Sequence, residues 1–193
     1  MEGPVVDAYE QASRYFVSAV ERVPAGAWAQ PGLGAWTVRE LVGHTNRQHL
    51  LIEEYLLRPV PEEPMDGEYF RPENIEARGR DAVALLGDDP LTAVKQASEH
   101  AVDVLAATPG DAFLGSPVRH QTLAEYVPSR VAEMTIHTLD LTRAIHLDLQ
   151  APAEALNVTL EWTIGRAIAR GEGERVLLAL SGRGELPAGF SLY

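Results

Sequence analysis

The spacing of apolar residues along the chain predicts a protein built from helices. Apolar positions recur at helical intervals from about Pro4 to Val23, from Val38 to about Leu57, and from Leu91 to Ala107. Strict alternation of apolar and polar residues, which is typical of a half-buried strand, is almost absent. Long amphipathic segments joined by loops therefore favour an all-α bundle.

The C-terminal half continues this helical pattern and ends in a segment of uncertain type. The best helix is predicted from about Leu123 to Leu147, and Pro128 is expected to separate a short leading piece from the main helix. A fifth helix is predicted after Pro152, reaching about Ala169. The apolar run at residues 176–180 fits either a strand or a short helix, because periodicity cannot decide so short a run.

Proline and glycine mark the loops, and one motif marks the start of a helix. Residues 24–35 are predicted to be a loop, and the proline-rich residues 58–73 are predicted to form an irregular covering segment before helical character resumes near Asn74. Thr37 stands three residues before Glu40, which is the spacing of a capping box. The second helix is therefore expected to begin directly after Thr37.

The length and composition of the chain fit one main domain with a small addition. A chain of 193 residues, 46% of them hydrophobic, can bury one substantial core. Residues 1–150 are expected to form a four-helix bundle. Residues 151–193 are expected to form an extra C-terminal helix and a short tail packed on that bundle.

Charge and cysteine content narrow the possible functions. The formal net charge of −12 disfavours binding to nucleic acid or anionic lipid, and there is no apolar stretch of about eighteen residues that would span a membrane. The N-terminus lacks the basic and apolar regions of a signal peptide, so a cytoplasmic location is expected. The absence of cysteine excludes disulfides, thiolate metal sites and a cysteine nucleophile.

Four ionisable residues on the best helix fall within one narrow sector of a helical wheel: Arg130, Glu133, His137 and Asp140. The positions in or beside this sector are largely apolar: Met134, Ile136, Leu141 and Ala144. The stripe is therefore expected to face the bundle interior, where ionisable groups are costly unless they are paired or bind a metal. Glu133 and His137 are one turn apart and can reach the same ion, and Asp140 is placed to orient the imidazole of His137.

His44 is the candidate third ligand, from the second helix. It shares a largely apolar stripe with Leu41, Gln48, Leu51 and Tyr55. Two imidazole nitrogens and one carboxylate oxygen would leave an open coordination position, which is the pattern of a catalytic zinc site. Zinc is the first choice, and nickel, iron and cobalt remain alternatives. The residue types alone leave open the alternative that Glu133 and His137 form an ion pair without a metal, because an isolated Glu-x-x-x-His pair is more often an ion pair than a metal site.

The remaining histidines are given no metal role. His49 and Glu53 form another pair at helical spacing, which is predicted to be a surface pair because Glu53 turns towards solvent. His100, His120 and His146 are predicted to be surface or loop residues. A ferritin-like di-iron centre is excluded because no Glu in the chain is followed by His three residues later.

Two of these segments carry a resemblance to a known family. Residues 36–44, WTVRELVGH, resemble the W-x-V-x-D/E-L-x-x-H signature of the DinB-like superfamily and, more closely, of its mycothiol-dependent maleylpyruvate isomerase branch. Residues 130–141, with Arg, Glu, His, Asp and Leu at R-x-x-E-x-x-x-H-x-x-D-L spacing, resemble the second signature of that branch. The ending at residues 177–190 is similar to short actinobacterial members.

This resemblance implies a four-helix bundle with one metal, usually zinc, held by His44, Glu133 and His137. The open position would bind the sulfur of a low-molecular-weight thiol, typically mycothiol, for isomerisation or S-transfer. Arg130 and Asp140 are the candidate catalytic residues, and Arg130 and Gln48 the candidate thiol-binding residues. Arg130 would clamp a carboxylate of the thiol or substrate, and an ion pair with Glu133 or Asp140 is the equally weighted alternative.

Three functions follow as alternatives, and one specific reaction is not expected. They are a thiol-dependent transferase or isomerase acting on a small electrophile, a zinc-water hydrolase, and a metal-binding or small-ligand-binding module without turnover. The maleylpyruvate isomerase itself continues into a larger α/β domain, for which residues 151–193 are too few, so its own reaction is not expected here. The protein is expected to be a monomer or homodimer.

Overall fold

Helices make up nearly all of the regular structure in the computed structural model, which describes residues 3–63 and 71–192. The helices are α1 (Pro4–Val20), α2 (Val38–Leu57), α3 (Pro72–Asp81), α4 (Pro90–Ala107), α5 (Leu123–Ala144), α6 (Ala153–Ala169) and α7 (Gly173–Leu180). A 3-10 helix spans Ala82–Leu86, and the antiparallel strands β1 (Pro31–Leu33) and β2 (Trp36–Thr37) form a small hairpin before α2. The predicted all-α fold is confirmed.

The helices α1, α2, α4 and α5 pack together as the bundle. Helix α1 lies against α4 and α5, helix α2 lies against the same two helices, and α6 covers α5 and α1. Helix α7 packs on α6. Within the described residues, no helix is long and apolar enough to cross a membrane.

The bundle core forms because each helix contributes one apolar face. In α1, the buried positions recur at helical spacing: Ala8, Tyr9, Ala12, Phe16 and Ala19. The core divides into a cluster around Tyr9, Leu105 and Met134 and a second around Phe16, Leu41 and Leu141. Burial of these side chains supplies the main driving force for the bundle.

Helix α5 does not break at Pro128, which corrects the sequence prediction. Pro128 lies inside the continuous helix Leu123–Ala144, although it cannot donate a backbone hydrogen bond. Val127 and Val131 on either side of it are fully buried, so packing holds the helix together through this position. The helix ends before the predicted Leu147 because His146 adopts a left-handed φ of 54°.

Two other boundaries were misplaced or left open. Helix α3 begins at Pro72, two residues before the predicted Asn74, since proline fits the first turn of a helix. The ambiguous run at 176–180 is helical, as part of α7. Residues 64–70 of the predicted covering segment lie outside the described residues.

Both long helices that carry the candidate site residues begin with a capping box. At α2, the Thr37 backbone N–H donates to Glu40 Oε2 at 2.7 Å, and the Glu40 N–H donates to Thr37 Oγ1 at 3.3 Å. This confirms the capping box predicted from the sequence. At α5, Thr122 and Glu125 make the equivalent pair of bonds, which the sequence analysis did not anticipate.

Candidate metal centre

Helices α2 and α5 bring His44, Glu133 and His137 to one point. One nitrogen or oxygen from each side chain lies within 4.8 Å of those of the other two. His137 Nε2 is 3.4 Å from Glu133 Oε2, and the imidazole rings of His44 and His137 are 5.0 Å apart and nearly perpendicular. Two donors that each bind one ion at about 2 Å lie at most about 4 Å apart. The separations of up to 4.8 Å seen here are therefore close to what a shared ion requires.

The site lies at the junction of the two helices rather than deep in the core. The side chains of His137 and Glu133 retain 16% and 23% exposure. The residues beside them on α5, Met134 and Leu141, are fully buried. The polar stripe therefore borders the core and keeps access to solvent, so it is less buried than the interior-facing position predicted from the sequence.

Asp140 holds His137 in place. Its carboxylate Oδ2 is 3.2 Å from His137 Nδ1, and a carboxylate can only accept a hydrogen bond, so Nδ1 carries a proton. The other nitrogen, Nε2, is then directed at Glu133 and His44. This carboxylate–imidazole arrangement is the usual way in which a protein orients a metal-binding histidine.

Without a cation, Glu133 and His137 form an ion pair. Burial disfavours the charged form of His137, but its hydrogen bonds with Asp140 and Glu133 outweigh this and raise its pKa to about 9. Burial likewise raises the pKa of Glu133, but the hydrogen bond from His137 prevails and lowers it to about 2. A divalent cation would replace the His137 proton between the same two side chains, since metal ligation requires a neutral imidazole.

His44 has the properties of a ligand already prepared for a metal. Burial, and next the charge of His137, lower its pKa to about 3, so its imidazole is neutral at physiological pH. Its Nδ1 is buried and has no hydrogen-bond partner among residues 3–63 and 71–192. A neutral imidazole, a second one backed by a carboxylate, and a carboxylate ligand fit a divalent cation.

Gln48 and Arg130 meet beside this group. Arg130 Nη1 donates a hydrogen bond to Gln48 Oε1, and the guanidinium lies 4.6 Å from the ring centre of Tyr126. Gln48 Nε2 donates to the backbone oxygen of His44 at 3.3 Å. Gln48 thus connects Arg130 to the segment of α2 that carries His44.

Trp36 is part of the site's wall, a role that the sequence analysis missed. Its ring centre lies 4.5 Å from that of His44 and 6.4 Å from that of His137, and only 7% of the residue is exposed. It occupies β2, directly before the capping residue Thr37. Its place in the WTVRELVGH segment was the available signal, but helical periodicity says nothing about a residue that precedes the helix.

The predicted surface pair of His49 and Glu53 is wrong. His49 is 1% exposed, and its ring nitrogens lie 2.9 Å from Ser13 Oγ and 3.2 Å from Asn46 Oδ1. Glu53 pairs instead with His100, at 3.0 Å. His49 points at α1, where its ring nitrogen reaches Ser13 and its ring lies beside those of Tyr9 and Phe16.

The other histidines are exposed, as predicted. His100 carries the ion pair with Glu53, His120 lies 2.5 Å from the backbone oxygen of Pro61, and His146 follows the end of α5. None of the three belongs to a group of described residues that could hold a metal.

Comparison with known proteins identifies the family. The family described as mycothiol maleylpyruvate isomerase N-terminal domain matches residues 9–142, which is more than half of the chain. The chain belongs to this family. No curated protein and no solved structure shows a significant match to it.

Membership of the mycothiol maleylpyruvate isomerase N-terminal domain family places the chain in the DinB-like superfamily. The matched range holds every candidate site residue from His44 to Asp140 and ends within α5. The family indicates a mycothiol-associated, metal-binding function of the DinB-like type. It also implies a small thiol as a partner.

Proposed function

We propose that the chain is a divalent-metal-dependent enzyme that uses a mycothiol-like thiol for S-transfer to, or isomerisation of, a small electrophile. The observation that carries this proposal is the convergence of His44, Glu133 and His137, with His137 backed by Asp140, in a chain of this family. Zn²⁺ is the proposed ion, and Ni²⁺ is the alternative. The proposed catalytic unit is the bundle of residues 1–150, with residues 151–193 packed on it.

The chain's own residues prepare the site for a cation. His44 offers a lone pair without first losing a proton, whereas His137 must release its Nε2 proton while Asp140 keeps the proton on Nδ1. Glu133 contributes the negative charge that offsets the cation. A divalent ion held by these residues would lower the pKa of a coordinating thiol, about 8.5 when free, and so would favour the thiolate at neutral pH.

Arg130 and Gln48 are the proposed binding residues for the thiol or substrate. The planar guanidinium suits a carboxylate, Arg130 lies one turn before Glu133 on α5, and its hydrogen bond to Gln48 ties it to α2. The chain contains no cysteine, so the thiol must come from a small molecule. Residues positioned in this way bring the two reactants together, which is a major source of rate acceleration.

The hydrolase alternative needs a general base, and two carboxylates that could serve, those of Asp140 and Glu40, are already engaged. Asp140 is engaged with His137, and Glu40 Oε2 accepts hydrogen bonds from both the backbone and the hydroxyl of Thr37 in the capping box. Their engagement favours the thiol-dependent reaction.

Metal content tests the ligand assignment. The purified protein should carry about one divalent ion per chain, and His44→Ala and His137→Ala should each lose most of it, because two remaining ligands bind a metal poorly. His100→Ala is the matched control, since His100 is exposed and distant from the group. Stoichiometric metal in both ligand variants, measured by elemental analysis, would reject the assignment.

Thiol dependence tests the reaction. Turnover of an electrophile panel should require both an added low-molecular-weight thiol and the metal, and a chelator should abolish it. It should persist below the pKa of the free thiol, because bulk base is not needed to remove the thiol proton. Metal-dependent turnover without any thiol would overturn this mechanism in favour of hydrolysis.

A further inference from the structure

The two candidate histidine ligands are held in different ways. His137 is oriented by Asp140 through a hydrogen bond at Nδ1. No hydrogen bond from the described residues reaches either ring nitrogen of His44, and its Nδ1 is buried, so whichever nitrogen binds the ion, the other has no such partner. Because metal-binding histidines usually depend on an outer hydrogen bond for their orientation, something else must fix the His44 ring.

Trp36 packs against the His44 ring and takes the place of the missing hydrogen bond in fixing its orientation. The two ring centres lie 4.5 Å apart with an interplanar angle of 34°, so the rings are tilted but in close contact. His137 also contacts the His44 ring, with its own ring nearly perpendicular at 5.0 Å. The orientation of His44 is therefore set by aromatic packing against Trp36 and His137.

Gly79 of α3 makes room for Trp36. A Cβ atom at position 79 would lie 2.6 Å from Trp36 Cε2 and Cζ2 and 2.8 Å from Nε1, which is closer than real Cβ contacts. Trp36 is buried, so it could relieve this clash only by moving, and it is packed on His44. The glycine is thus required by close approach to a ring.

We propose that Gly79 and Trp36 are positioning residues for His44 in the proposed metal centre. Gly79 leaves the space that Trp36 fills, and Trp36 fixes the ring of a ligand that has no outer hydrogen bond. Helix α3 in this way controls the geometry of a site whose ligands all lie on α2 and α5. The inference rests on the proposed role of His44 as a metal ligand.

The test is the affinity of the metal-free protein for Co²⁺, followed by visible absorption. Gly79→Ala should weaken Co²⁺ binding by about tenfold or more, as loss of an outer-shell contact commonly does. Gly165→Ala is the matched control: it is also a helical glycine replaced by a better helix former, but a Cβ there meets nothing within 4 Å. Its Co²⁺ affinity should equal that of the wild type.

A double variant tests whether the effect passes through Trp36. Trp36→Phe keeps an aromatic ring but removes the indole atoms that a Cβ at position 79 would strike. Gly79→Ala combined with Trp36→Phe should therefore bind Co²⁺ as well as Trp36→Phe alone, so the two effects are not additive. Thermal unfolding in a chelator, measured in parallel, separates a loss of stability from a loss of affinity.

The possible outcomes separate a failure of this inference from a failure of the proposed function. Wild-type Co²⁺ affinity in Gly79→Ala, or additive losses in the double variant, would overturn the inference while leaving the proposed function intact. If Gly79→Ala does not fold, Trp36→Leu removes the ring contact without a clash, and unchanged affinity there would also overturn it. Failure of the folded wild type to bind Co²⁺ would instead reject the proposed function, and this inference with it.

Discussion

Two histidines on α2, the half-buried His44 and the fully buried His49, have the same charge state and different surroundings. Burial is the main cause that lowers the pKa of both His44 and His49 to about 3, so each is neutral in the folded protein. His49 uses both ring nitrogens in hydrogen bonds to Ser13 and Asn46, whereas His44 Nδ1 has no partner among the described residues. His49 therefore stabilises the fold, and His44 remains available for a ligand.

His49→Ala should destabilise the protein without removing the metal. The substitution leaves a cavity and deprives Ser13 and Asn46 of a buried partner, which together should cost about 3 kcal/mol of unfolding free energy. Denaturant unfolding measures this loss, and elemental analysis of the folded fraction should show unchanged metal content. The exposed His100→Ala should change stability by less than about 0.5 kcal/mol. Metal loss in His49→Ala would mean that the wrong histidine of α2 was chosen.

Arg130→Lys should impair binding more than it affects the metal. Lysine keeps the positive charge but loses the planar fork that contacts Gln48 and suits a carboxylate. The KM for the thiol or substrate should therefore rise several-fold while metal content stays the same. Arg143→Lys, an exposed arginine on the same helix, provides the control. An unchanged KM would show that Arg130 only connects α5 to α2.

The sequence was informative where one helix determines the geometry. Glu133, His137 and Asp140 lie on consecutive turns of α5, so their spacing alone placed them together. The burial of His49 was not predicted, because a helical wheel gives the direction of a side chain but does not show which other helix covers that direction. Gly79 could not be found either, since its close contact with Trp36 joins two residues that lie far apart in the sequence.

At the scale of the elements, the site depends on how α2 and α5 begin. Both start with a capping box, and the first of these follows Trp36 directly. A cap fixes where a helix starts and so fixes the rotation of the residues that follow. Thr37 therefore links Trp36, which forms part of the wall of the site, to the part of α2 that carries His44.

Thr37→Ala should cost about 1 kcal/mol of unfolding free energy through loss of the cap. Metal affinity should fall slightly as well, because the same residue precedes the helix that carries His44. Thr122→Ala, at the second capping box, is the matched comparison and should cost a similar amount. Its effect on metal affinity should be smaller, since Glu133 and His137 lie further along α5. An unchanged denaturation midpoint for Thr37→Ala would contradict the capping role.

At the scale of the whole molecule, amphipathic periodicity determined most of the fold. The bundle helices were predictable because each contributes a regular apolar face to a shared core. The continuity of α5 through Pro128 and the helical state of residues 176–180 were not predictable, because packing decides both. Burial in the assembled bundle also creates properties that no single segment has, and the lowered pKa of His49 is one of them.

Acid should therefore unfold the metal-free protein in part through His49. Its pKa is about 3 in the folded state, because of burial, and about 6.5 when unfolded. Between these values the unfolded chain binds a proton that the folded chain does not. The stability contribution is fully present above pH 6.5 and is lost as the pH falls towards 3, by at most about 1.4 kcal/mol per pH unit.

The side chains around His49 allow this effect to be isolated. From α1, His49 meets Ser13 and the rings of Tyr9 and Phe16, and Ser13 in turn is hydrogen-bonded to Ser98 of α4. On its own helix, His49 meets Asn46. None of these side chains carries a charge near neutral pH. His49→Gln retains hydrogen-bonding groups but cannot titrate. Its denaturant midpoint, measured in a chelator to exclude metal linkage, should decline less steeply than that of the wild type from about pH 6.5 to about pH 4.5. Equal slopes for the two proteins would show that His49 is protonated in the folded state or that its burial has no part in acid unfolding.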